Sequence, residues 1–435
     1  MIRILSNAFV RMGACGLLLG LSVAAAWSEP SLSDMPEELT LVDAVRMAEE
    51  QNPALRSAAA RVLAHEGQSR QARLVPNPEL EVAIEEYDRD GAGYDSAETV
   101  VVLGQQIELG GKRRGRGLVA DAEADLAALD YEESRMEVVT GTAQRFMAVI
   151  AAQRRLALAE SGVALAEKTS HAVSERVKAG KEPPLQSAKV EAELEMARMA
   201  ALEAEANLDT SRSRLAAMWG ATSLEVDAVQ GELDRIPVVS PSLEEWQDRF
   251  LSSPALARAE AQVRLRMALL SSEEAARIPD VEAAVGFKHF EEDGTDAMIF
   301  GVGMPLPLFD RNQGNISSAE QELVVAQSER AAVEADWSVE LAEIYAGLTL
   351  AHRRVETLRS KVVPAMEQAF EAAHEGYRQG KFGFLDMLDS QRGLFESKEA
   401  LVDALSDYHD ALARIQRLAG VPFEELMNRS QEDKR

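Results

Sequence analysis

From Gly110-Gly111-Lys112 the chain runs to Lys178 without a proline, through residues that favour helix. At about 1.5 Å of rise per residue, some 65 residues of helix reach roughly 100 Å. An ordinary globular domain is far narrower, so the 435 residues are better arranged as one elongated unit than as two or three separate domains. Aromatic residues make up only 5% of the chain, and the 27% of charged residues sit largely on helix-forming side chains. That composition suits long helices packed side by side rather than a large globular core.

The chain also repeats itself. Tyr377-Arg378-Gln379-Gly380-Lys381-Phe382-Gly383-Phe384-Leu385-Asp386-Met387-Leu388-Asp389-Ser390-Gln391 is a glycine-punctuated turn between two helical stretches, and is expected to be the tip of a helical hairpin. Arg176 to Lys181 has the layout of Gly376 to Lys381, and Leu185, Glu191 and Leu194 fall opposite Leu385, Gln391 and Leu394. Asn52-Pro53-Ala54-Leu55 returns as Ser253-Pro254-Ala255-Leu256, and Leu215-Ala216-Ala217-Met218-Trp219-Gly220 as Ile415-Gln416-Arg417-Leu418-Ala419-Gly420. The offset of about 200 residues exceeds the common solenoid periods, so duplication within the chain is the simplest account.

Taken in order, the pattern predicts a helix over residues 37–50 capped by Thr40 and a second from Pro53 toward Arg73. The period then changes to two: Leu80, Val82 and Ile84 alternate with Glu79, Glu81, Ala83 and Glu85, a strand with one acidic face. A polar loop at 88–96 and a strand at 99–109 complete a β-hairpin. The second half offers strands at 279–290 and 297–308, with Met298, Phe300, Val302, Met304 and Leu306 on one face and Gly301 and Gly303 on the other. Each hairpin leads into a long helix, the second capped by Asp310, and partners return over 185–219 and 384–419. This divides the chain into a first repeat at 27–220, a linker at 221–241 with room for short strands, a second repeat at 242–420 and a charged tail at 421–435.

Arg3 and Arg11, the apolar run 13–23 and Ala24-Ala25-Ala26 predict a signal peptide over residues 1–26. Cys15 precedes most of the apolar run and fits no lipidation signal, so no lipid anchor is expected, and the exported chain would hold no cysteine for disulfides or thiolate metal sites. A net charge of -27 opposes binding to nucleic acid and favours cationic cargo, although most of the acids must simply solvate helices.

The exported part has no run of about 18 apolar residues for a membrane helix, yet its strands have apolar faces that are hazardous in water. A membrane β-barrel reconciles the two. Four strands cannot close a barrel, and open edges are not tolerated in lipid, so several copies must share one, with Glu79, Glu81 and Glu85 lining an acidic lumen.

These features closely resemble the TolC family of outer-membrane efflux channels over the whole exported sequence. Gly104-Gln105-Gln106-Ile107-Glu108-Leu109-Gly110-Gly111-Lys112-Arg113 and Pro305-Leu306-Pro307-Leu308-Phe309-Asp310-Arg311-Asn312-Gln313-Gly314-Asn315 are similar to the branch serving heavy-metal resistance pumps, as in the cobalt-zinc-cadmium system. The resemblance implies a mainly α fold with a membrane β-barrel: a homotrimer in which duplicated helical hairpins form an α-barrel beneath a shared twelve-stranded outer-membrane β-barrel. It also implies a periplasmic adaptor, an inner-membrane RND pump, and metal cations as cargo.

Asp386 and Asp389 share a helix face just inside the tip and match the family's acidic constriction, where threefold rings of carboxylates would hold cations; an isolated Asp-x-x-Asp also reads as two solvated surface acids. The tips, with Gly180, Lys181, Leu185, Gly380, Lys381, Phe382 and Phe384, resemble adaptor-docking surfaces, with the two phenylalanines as apolar anchors. Lys112, Arg113 and Arg114 stand where a strand gives way to a helix, either touching anionic headgroups or forming a solvated basic cluster.

Gly110-Gly111-Lys112 lacks the earlier glycine and following Ser or Thr of a phosphate loop. No histidine pair has metal-ligand spacing and no nucleophile–base set stands out, so neither a cofactor, a fixed metal site nor an enzyme is expected. A periplasmic coiled-coil scaffold without a pore, or a duct for drugs or secreted proteins, are the competing readings.

Overall fold

A computed structural model of the chain describes residues 38–86, 97–224, 228–236 and 242–421. The expected leader, the loop at 88–96 and nearly all of the tail lie outside the described residues. The first half holds β1 (Glu38–Leu39), α1 (Leu41–Gln51), α2 (Pro53–Ala72), β2 (Glu79–Glu85), β3 (Glu98–Ile107), α3 (Lys112–Lys178) and α4 (Pro184–Ala216). After β4 (Ala228–Val229) and the short α5 (Leu243–Gln247), the second half holds α6 (Pro254–Ala276), β5 (Val281–Phe290), β6 (Thr295–Gly303), α7 (Gln313–Thr357), α8 (Val363–Arg378) and α9 (Phe384–Ala419).

The duplicated Asn-Pro-Ala-Leu and Ser-Pro-Ala-Leu strings are helix starts. Asn52 Oδ1 accepts the N–H groups of Ala54 and Leu55, Ser253 Oγ accepts that of Leu256, and the following prolines occupy the first turn, where no donor is needed. Asn52 uses its spare amide to donate to Met218 O at 2.7 Å, tying the start of α2 to the end of the first returning helix. The equivalent glycines, Gly180 and Gly220 in one repeat and Gly380 and Gly420 in the other, all adopt left-handed φ between 68° and 82°. At each, the next residue's N–H reaches five residues back (Lys181 to Arg176, Ala221 to Ala216, Lys381 to Gly376, Val421 to Gln416), closing a Schellman motif.

Three expectations need correction. The first helix starts at Leu41, because Thr40 caps it and wholly buried Leu39 belongs to β1, which pairs in parallel with β4 of the linker. Asp310 does not cap α7; it accepts the N–H of Asn312, and Asn312, at φ 59°, is the residue before the helix. The second long helix is not continuous: a π-helical turn at Leu358–Val362 separates α7 from α8. Pro364, at the start of α8, has no N–H for the preceding turn and its ring crowds the carbonyl four residues back, which a wider turn relieves. Its counterpart α3 has no proline and runs unbroken for 67 residues.

Buried Trp337, Leu341, Ile344, Leu348, Ala351 and Val355 recur along α7 at three- and four-residue spacing. They face α9 residues such as Ile415 and Ala419, and Trp337 Nε1 donates to Leu418 O. None of the described helices is long and apolar enough to cross a membrane.

Gly180 has open space around it, whereas a Cβ on Gly420 would lie 2.8 Å from Pro254 Cδ. Gly180→Ala should therefore cost about 1 kcal/mol for the left-handed backbone alone, and Gly420→Ala about 2–3 kcal/mol; thermal melts of the two solubilised variants by circular dichroism should rank them so.

Candidate functional site

Strands β2, β3, β5 and β6 form one antiparallel sheet in that order, and its register places every side chain on one of two faces. Opposed residues share a face. One face therefore carries Leu80, Val82 and Ile84, then Val101 and Leu103, then Val285 and Phe287, then Met298, Phe300 and Val302. Most of these are solvent-exposed in the single chain, Phe300 by 78% and Val302 by 82%. The other face carries Glu79, Glu81, Glu85, Glu98 and Glu282, small residues such as Gly104, Ala284 and Gly301, the apolar Val100, Val102, Phe290 and Ile299, and one basic residue, Lys288. A Cβ at Gly286 would sit 2.8 Å from Val101 O, so glycine allows the strands to approach there. β2 and β6 are edges, and among the described residues no further strand pairs with their outer sides.

Below the sheet, Asp280 gathers the strand-to-helix corner. Its carboxylate accepts from Gln106 Nε2 at 2.9 Å, the Leu109 N–H at 3.1 Å and Lys112 Nζ at 2.8 Å. Arg116 forms a forked ion pair with Glu108 beside it. Lys112 is thus an internal partner, its side chain only 19% exposed, and is removed from the expected headgroup set; Arg113 and Arg114 remain exposed.

At the far end of the helices the two hairpin tips meet around Val173, Val190, Tyr377, Phe384, Met387 and Leu388. Phe384, expected as an exposed anchor, is buried here, its ring 6.1 Å from that of Tyr377, because it opens α9 on the helix's inward face. Phe382, Leu185, Lys181 and Lys381 are exposed. Gly376 is needed where it stands: a Cβ there would overlap the Phe382 ring. Arg176 joins the repeats, with its guanidinium 4.8 Å from the Tyr377 ring centre and paired with Glu182 at 3.2 Å. Burial pushes the Tyr377 phenol pKa up, the Glu182 charge adds to this and the Arg176 charge opposes it.

Asp386 and Asp389 are both exposed on α9. Asp386 Oδ2 accepts the Gly383 N–H at 3.0 Å, so one of the two acids also stabilises the helix start. The first tip has no such pair, with Gln186 and Lys189 at the matching positions. Among the described residues no cluster of three or more His, Cys, Asp or Glu is arranged to hold a metal ion.

A sheet with one apolar and one acidic face, set on duplicated helical hairpins of roughly 100 Å, defines the class of outer-membrane efflux channels. The family model described as outer membrane efflux protein matches residues 44–221 and 247–421, one segment per repeat, and the chain belongs to that family. It is 33% identical over 419 residues to the cobalt-zinc-cadmium resistance protein CzcC of Cupriavidus metallidurans, covering 95% of this chain and 99% of the relative. It is 28% identical to the nickel-cobalt-cadmium resistance protein NccC of Alcaligenes xylosoxydans xylosoxydans, over 67% of this chain and 65% of the relative. Its fold matches the open-state MtrE outer membrane channel of Neisseria gonorrhoeae with a TM-score of 0.75 at 20% identity, over 87% of this chain and 88% of that one.

The local sequence reports the acidic strand and both tips, but not the contacts made by Lys288, Arg176, Tyr377 and Asp280. Lys288 had a usable signal, since it lies in phase with Glu282 along its strand. The others act across about 170 to 200 residues of chain, which no local pattern reports. Gly376→Ala should expel the Phe382 ring and open the tip turn; limited trypsin digestion should then cut after Lys381 several times faster than in the parent.

Proposed function

We propose that the protein is the passive outer-membrane exit duct of a tripartite pump that exports heavy-metal cations of the cobalt, zinc, cadmium or nickel class. The observation that carries this is the division of the sheet into an apolar and an acidic face with two open edges. In lipid both edges must be paired, and three copies of four strands make a closed twelve-stranded barrel whose acidic face lines the lumen. The names of the metal-resistance relatives support metal cargo, and carboxylates that coordinate weakly suit a conduit that must release its ions.

The helices would extend into the periplasm, where Gly180, Lys181, Leu185, Gly380, Lys381 and Phe382 dock a periplasmic adaptor coupled to an inner-membrane RND pump. In the trimer Asp386 and Asp389 form two carboxylate rings inside the tip and act as a cation-selective gate. Arg113 and Arg114 reach the headgroups of the inner leaflet. A non-pore scaffold would have no use for the apolar strand face.

Single-channel recording of the trimer in planar bilayers tests the gate. Asp386→Ala with Asp389→Ala should lower the cation-to-anion permeability ratio and weaken block by divalent ions about tenfold; unchanged selectivity and block would remove the gate. Photocrosslinkers at Gly180 or Lys381 should capture the adaptor, and capture only from positions far along the helices would refute tip docking.

A further inference from the structure

The acidic face is not uniform along its length. At the end nearest the helices stand Glu79, Glu81 and Glu282, and among the described residues no basic side chain lies within ion-pair distance of them. At the opposite end Lys288 reaches across two strands. Its ammonium pairs with Glu98 on β3 and, at 3.4 Å, with Glu85 on β2, and lies 5.3 Å from the Phe290 ring centre. Lys288 and Glu98 are largely shielded, with side chains 23% and 14% exposed. The bracket is held by the register, since Lys288 stands opposite Val100 and Glu98 opposite Phe290, one step along the same face.

We infer that Lys288 grades the field of the channel, offsetting one of the two carboxylate charges it pairs with at the outer end, so that a cation attracted by the three unpaired inner ones meets weaker binding as it leaves. The inference deepens the proposed acidic lumen and rests on it. A conduit works only when its sites are favourable enough to enter and weak enough to leave. Five carboxylates per chain without a counter-charge would place a strong trap along the whole barrel, and divalent ions would be held most tightly of all. One lysine placed at the exit end converts the trap into a slope. Its cation–π contact with Phe290 and its two carboxylate partners keep the ammonium at the wall, where it neutralises without projecting into the ion path.

The test reads local potential inside the barrel, independent of the distant tip. In a Cys15→Ser background of the full trimer in liposomes, single cysteines are introduced at Ala83, in the same rung as Lys288, and at Ala284, in the rung of Glu79. Each is titrated with cationic and anionic methanethiosulfonate reagents added from the extracellular side. The ratio of cationic to anionic modification rates should be at least about threefold higher at Ala284→Cys than at Ala83→Cys. Lys288→Gln should raise the ratio at Ala83→Cys about threefold and leave Ala284→Cys nearly unchanged, while Lys288→Arg should preserve the parental values. Glu85→Gln with Glu98→Gln, which keeps the lysine and removes its partners, should lower the ratio at Ala83→Cys.

An unchanged ratio at Ala83→Cys in Lys288→Gln, or the same change in Lys288→Arg, would overturn the inference. Should Lys288→Gln fail to give a heat-modifiable trimer, an unchanged ratio in the double glutamine variant overturns it instead. A cationic preference at Ala284→Cys that survives in these cases leaves the acidic lumen standing. Equal rates for both reagents at Ala284→Cys in the parent would remove the acidic lumen and this inference together.

Discussion

The register of β3 against β5 is the contact on which the rest depends. From Glu98 opposite Phe290 to Ile107 opposite Val281, it is, among the described residues, the only pairing that joins the strands of the two repeats into one sheet. Side chains alternate with a period of two, so a slip of one residue would turn Glu282 and Lys288 toward the apolar side and Val285 and Phe287 toward the acidic one. The Asp280 cluster sits at the end of this pairing and holds the β3–α3 corner by three hydrogen bonds. Face, register and corner are therefore one arrangement, and the long helices inherit their starting direction from it.

The two repeats share a skeleton and differ in chemistry. Helix starts, strand pairs and four Schellman turns recur. The second tip has Asp386 and Asp389 where the first has Gln186 and Lys189, and only the second long helix is interrupted by a π-helical turn. Duplication supplied the geometry twice, and the side chains were then free to specialise in one copy.

Much of this was legible from residue order, because the signals are local. Alternation at Glu79–Glu85, the cap-and-proline strings and the tip glycines each report on a few consecutive residues. The failures have physical causes of a different kind. Phe384 looked exposed because it neighbours a turn, but the helical phase of α9 turns it inward against Tyr377. Lys112 looked like part of a basic cluster, yet its partner Asp280 lies far along the chain. The π-helical turn was foreshadowed by Pro364, although a proline near a helix start and one within a helix read alike without the surrounding contacts.

The four left-handed glycines differ in their surroundings. Gly220 and Gly420 lie against Pro53 and Pro254, where the two starts of the repeat are locked to its two ends, while Gly180 and Gly380 have no atoms within 4 Å of where a side chain would begin. Of the inner pair, Gly420 has no room for a side chain, since a Cβ would lie 2.8 Å from Pro254, whereas at Gly220 it would rest in ordinary contact with Pro53 at 3.5 Å. Change at the outer pair meets only the preference of the backbone itself. A lineage built this way can rework the surface it presents to other proteins, one residue at a time, while the frame beneath it stays fixed.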